Sequence, residues 1–138
     1  FDDYLQGMEE SYASRGTRII DVENRKYSSN HAVIGYYTAK SWNLPTHLCN
    51  AIAEHHDTAR IFSNTKNADN DKKTLLAILK MAEHICGNYR ILGNQDEDYE
   101  WDAIQEDVLE YLGLSDYDLN NMMENFSEMG VVSSNYAF

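Results

Sequence analysis

The sequence predicts an all-α protein, a helical bundle, and three observations carry that prediction. Apolar residues recur at spacings of three and four almost everywhere, the period of a helix with one buried face. One Pro and seven Gly in 138 residues leave few breakers. The apolar–polar alternation of a half-buried strand is missing throughout. About seven helices are expected, with no internal repeat and no interdomain linker, so residues 1–138 read as a single helical domain.

Taken in order, residues 1–14 form the first helix, with Tyr4, Leu5, Met8 and Tyr12 on one stripe. A shorter segment around 17–27 follows, carrying Ile19, Ile20 and Tyr27. Asn30 is a good N-cap for a third helix, whose inner face is expected to carry Ile34, Tyr37 and Trp42. "NLP" breaks that helix, and Pro45 suits the first turn of a fourth, ending near His56. Residues 58–70, "TARIFSNTKNADN", read as a polar loop. A strong helix runs from Lys72 to about Tyr89, with Leu75, Leu79, Ala82, Cys86 and Tyr89 stacked at helical spacing. Gly93 and the acidic "NQDEDYE" lead to another helix near 99–112. Ser115 and Asp118 offer a capping-box start for a last helix to about Met129.

Composition narrows the function. With 43% hydrophobic and 25% charged residues the chain is globular in character. Twenty-three acidic residues against 11 basic ones give a formal charge of −12. Such a field repels phosphate backbones and anionic lipid, so neither nucleic acid nor membrane is an expected partner. Cys49 and Cys86 are the only cysteines and make no disulfide scaffold, which fits a reducing cytoplasm. No apolar run approaches the roughly 20 residues that span a bilayer. The polar opening "FDDYLQGMEES" is no secretory signal, and the missing initiator Met fits a piece of something longer. The acidic "NQDEDYEWDAIQEDVLEYLGL" reads as the solvated face of an amphipathic helix in preference to a docking site.

The chemistry is concentrated in "NHAVIGYYTAKSWNLPTHLCNAIAEHHD", residues 30–57, which holds four of the five histidines. His31 opens the third helix, while His55 and His56 close the fourth. An X-Leu-Pro turn makes those helices neighbours, so the start of one and the end of the other can lie side by side. Glu83, on the following long helix, is the candidate carboxylate. His31, His55, His56 and Glu83 are reasonable ligands for zinc, iron or manganese. The plainer readings are structural. His56 can cap a helix C-terminus, His47 can be a surface residue of a first turn, and His84 has no assigned role. A buried imidazole must still be hydrogen-bonded, so His31 is expected to bond His55 or His56, a backbone carbonyl or Glu83.

These residues bear a family resemblance. His31 with Gly35 four residues later, "WNLP" at 42–45 and "AIAEHHD" at 51–57 resemble the HDOD domain, the HD-related output domain of bacterial signalling proteins. "LLAILKMAEHIC", 75–86, is similar to the family's next helix, and the resemblance covers about residues 1–90. It implies an HD-like helical bundle and the C-terminal half of an HDOD module, or a diverged protein retaining that half. The His-Asp pair that names the HD and HD-GYP phosphohydrolases falls upstream of this stretch, and Glu83 stands where the family usually has Asp.

What the resemblance implies about function is a non-catalytic regulatory module with a vestigial metal site and no cofactor. Its partners would be other signalling domains or proteins, with a nucleotide as an alternative ligand and a homodimer as a candidate assembly. The competing expectation is a metal-dependent phosphohydrolase holding zinc, iron or manganese. That activity needs several ligands around a bridging water, whose lowered pKa makes the nucleophile.

Overall fold

The computed structural model describes residues 3–63 and 70–130. Among these residues every regular element is a helix, and nine are present: α1 (Tyr4–Tyr12), α2 (Ile19–Tyr27), α3 (His31–Ser41), α4 (Thr46–Glu54), α5 (Thr58–Ser63), α6 (Asn70–Cys86), α7 (Asn88–Ile91), α8 (Tyr99–Leu112) and α9 (Asp116–Glu128). The excess over seven has two sources. Part of the expected 58–70 loop folds as α5, its remainder lying outside the described residues. Gly87, in the left-handed region at φ 72°, ends α6 and lets α7 start as a separate turn.

Local signals set the boundaries. The Asn30 side chain accepts the Val33 N–H at 2.9 Å, and Asp98 does the same for Trp101 at 3.1 Å. Ser115 and Asp118 form a reciprocal capping box at the start of α9. Between α3 and α4 the chain reverses through Asn43, at φ 55°, with the Leu44 N–H donating to the Ala39 carbonyl at 3.1 Å. That reversal lays α3 along α4.

The main core runs from Ala51 and Phe62 through Leu76, Ala77 and Ile85 of α6 to Trp101, Ile104, Val108 and Leu109 of α8, closing on Leu119 of α9. α6 is the hub, packing on α4, α5, α7 and α8. Ile19, Val22, Ala32, Ala39 and Cys49 are buried in the first part of the chain. Among the described residues no helix is long and apolar enough to cross a membrane.

Three expected inner faces are corrected. α3 turns Ile34, Tyr37 and Trp42 outward, with Trp42 71% exposed, and packs Ala32, Gly35 and Ala39 inward. The approach to α4 is close: a Cβ at Gly35 would lie 2.9 Å from Ile52 Cγ2, which leaves no room for large inward side chains. α6 exposes Leu75, Leu79, Ala82 and Cys86 and buries Leu76, Ala77, Lys80 and Ile85, a rotation that lets Lys80 reach two carboxylates. α1 buries Gly7 and Ser11 and leaves Leu5 exposed. In α1 and α3 small residues take the contact face, because close backbone approach outweighs the size of the apolar side chain there.

Candidate functional site

The antiparallel run of α3 and α4 brings the first residue of one helix to the last turn of the other, and three imidazoles meet there. His31 Nε2 lies 3.0 Å from His55 Nε2 and 3.0 Å from His56 Nε2. One nitrogen from each ring falls within 4.8 Å of the other two. His31 meets both other rings edge-on, at centroid distances of 5.0 and 4.9 Å.

Glu23, on α2, orients this cluster. Its carboxylate is buried, 3% exposed, and accepts three donors: the Tyr4 hydroxyl at 2.8 Å, the His31 backbone N–H at 2.9 Å and His31 Nδ1 at 2.7 Å. Burial alone would raise the Glu23 pKa, but these donors outweigh it and hold the carboxyl below its ordinary value. With Nδ1 donating to Glu23, the His31 Nε2 is left to face the other rings. His55 is fixed likewise, its Nδ1 donating to the Ile52 carbonyl at 2.7 Å. Two bare ring nitrogens at 3.0 Å repel unless a proton or a metal ion lies between them. Burial, with the nearby Lys80 ammonium, pushes the His55 and His56 pKa values down and favours their neutral, ligand-competent forms.

This donor set fits one cation. Three neutral imidazoles are common ligands of zinc and its neighbours, and a carboxylate on the far nitrogen of His31 is the usual way such a ring is oriented. The described residues supply three ligands on one side.

Glu83 does not join the His31, His55 and His56 group. It accepts a bond from Lys80 Nζ at 2.9 Å, and Lys80, 2% exposed, also pairs with Glu100 at 2.9 Å. Burial pulls the lysine pKa down, but Glu100 and Glu83 outweigh it and keep the ammonium charged. A fixed positive charge therefore sits on the carboxylate expected to complete a centre, near enough to the imidazoles to join burial in pushing the His55 and His56 pKa values down. His47 stays half-buried in the first turn of α4. His84 has a structural part: its Nδ1 lies 2.9 Å from Asp98, and its ring stacks on Trp101 at 4.8 Å and Tyr89 at 5.9 Å.

Sequence reasoning missed Glu23 and Lys80. Glu23 stands eight residues before His31, beyond any single-helix spacing, and looks like an ordinary surface acid on an amphipathic turn. Lys80 lies on the same helix as Glu83 at i, i+3, which on a solvated face is a weak surface pair; its burial is visible only after packing.

No curated protein and no solved structure matches the chain. A family model does: the HDOD domain matches residues 1–58, which include Glu23, His31, Gly35, "WNLP" and the His55–His56 pair but neither Lys80 nor Glu83. The match spans 58 of the 138 residues, and the whole histidine cluster lies inside it.

Proposed function

We propose that the chain is a non-catalytic regulatory module of bacterial signal transduction. It acts in the cytoplasm through contacts with other proteins or with a second copy of itself, and its histidine cluster is a reduced metal site. The observation that carries this reading is the Lys80 ammonium, buried between Glu83 and Glu100. A binuclear hydrolytic centre needs carboxylate ligands and a bridging water between two cations. Here Glu83, the carboxylate expected to complete a centre, is already paired with an ammonium, and that charge opposes a second cation by direct repulsion. His31, His55 and His56 remain able to hold one divalent ion, which when bound would supply a Lewis acid at that corner. The exposed apolar residues of α3, Val33, Ile34, Tyr37 and Trp42, supply a contact surface for a protein partner. Cys49 and Cys86 are free thiols, which fits a reducing compartment.

The test pairs elemental analysis with an activity assay. Purified protein reconstituted with zinc, iron or manganese is expected to hold at most one ion per chain, and none after the double substitution His31→Ala, His55→Ala. Hydrolysis of bis(p-nitrophenyl) phosphate is expected to stay at the level of free metal. Two ions per chain with turnover that disappears in the double variant would establish a phosphohydrolase and overturn the regulatory reading.

A further inference from the structure

A cavity of about 200 Å³ opens beside the histidine cluster, and its lining says what it can hold. It lies between the α1–α2 turn, the α4–α5 junction and the first turns of α8, with His56 in its wall. Ile19 and Ile104, both buried, form an apolar floor, and the Tyr12 and Tyr99 side chains add flat walls. The volume falls below the ~300–1,000 Å³ of sites for drug-sized molecules, so one or two fused rings fill it.

Electrostatics decides the ligand class. Arg18 is the cation in the lining, and three of its five N–H donors are engaged: Nε and Nη2 donate to Asp21 at 3.0 and 2.9 Å, and Nη1 to Asp57 at 3.3 Å. Asp57 and Glu100 also line the cavity, each held by a cation, Asp57 by Arg18 and Arg60 and Glu100 by Lys80, so the lining offers a phosphate no cation without a carboxylate partner. At the start of α8 the Asp98 side chain takes the Trp101 amide and sets a carboxylate at that helix end. A phosphate entering here would have to compete with Asp21 and Asp57 for the Arg18 guanidinium. The remaining polar groups are neutral: the Ser14 and Thr17 hydroxyls bond each other at 2.9 Å, giving a donor and an acceptor at the wall.

We propose that the cavity beside His56 is a binding site for a small, uncharged, planar heteroaromatic molecule, a bare base-like ring as opposed to a phosphorylated nucleotide. Apolar and aromatic walls take the faces of the ring, and the hydroxyl pair takes its polar edge. Occupancy is independent of hydrolysis, so this inference can fail while the regulatory reading stands, and the reverse.

The experiment is a titration of the intact, isotope-labelled chain with adenine, indole and AMP, followed by amide chemical shifts. Adenine or indole at millimolar concentration is expected to move the signals of Thr17, Asp57 and Ala103, with AMP at least tenfold weaker. Ala103→Trp fills the cavity from an exposed position on α8, and Ala59→Trp does so from α5; each is expected to abolish the shifts while leaving the helical spectrum intact. Absence of shifts at these positions with both adenine and indole would overturn the proposal. So would AMP binding as tightly as adenine, or shifts that survive both tryptophan variants.

Discussion

Tyr4, Glu23 and His31 show how one buried carboxylate can govern a cluster it does not belong to. Glu23 takes one donor from α1 and two from the start of α3, so its loss would orphan the His31 amide and release the ring that holds the other two imidazoles in place. The Tyr4 phenol feels the same carboxylate. Burial first, then the hydrogen bond to Glu23, pushes its pKa up to about 12. A raised pKa favours the folded state while the phenol stays protonated, so this contribution is whole below pH 10 and is lost as pH rises through about 12. Tyr4 should therefore ionise late in a carbon-detected NMR titration of the tyrosine rings, and Glu23→Gln should bring its midpoint back toward 10. A Tyr4 midpoint already near 10 in the unsubstituted protein would show that the Glu23 bond does not form in solution.

Two glycines set how helices meet, and they are expected to differ in cost. At Gly35 an added Cβ would press on Ile52 Cγ2 at 2.9 Å, a contact that a small shift of one side chain relieves. At Gly93 it would lie 2.4 Å from Tyr12 Cβ and 2.6 Å from the Tyr89 carbonyl oxygen, where α1 rests on the end of α7 and the backbone itself must move. Overpacking of this kind costs roughly 1–3 kcal/mol. Gly93→Ala is expected at or above the top of that range and Gly35→Ala near the bottom, as read by urea denaturation. Gly35→Ala should nevertheless weaken metal retention, because it pushes His31 away from His55 and His56. Equal midpoints for the two variants would contradict the packing assigned to α1 and α7.

At the scale of the molecule, the outward apolar residues of α3 and α6 sit on the two helices that flank α4. Tyr37 and Trp42 are 65% and 71% exposed, and α6 adds Leu75, Ile78 and Leu79. Water contact with the apolar residues of these two helices favours association. The chain is expected to sediment as a dimer at micromolar concentration, and the pair Ile34→Asp, Tyr37→Asp should return it to a monomer without loss of helicity. A concentration-independent monomer in the unsubstituted chain would leave those faces without a self-contact role.

The helical class was determined by the sequence alone, because the 3.6-residue period and the scarcity of breakers are local properties. So were the caps at Asn30 and Ser115 and the Tyr99–Leu112 helix, since capping joins a side chain to a backbone three residues away. The meeting of His31 with His55 and His56 was legible as well, through the short turn that reverses α3 onto α4. Only the tertiary structure decided which face of α3 and α6 turns inward, for those helices are apolar on more than one side; small-residue contacts with α4 break the tie in α3, and the core and the Lys80 ion pairs break it in α6. It also decided that Lys80 pairs with Glu83, and that Glu23 orients the cluster. The first depends on a burial of Lys80 that its i, i+3 spacing does not reveal, and the second on a carboxylate brought in from α2, which no spacing within a single helix encodes.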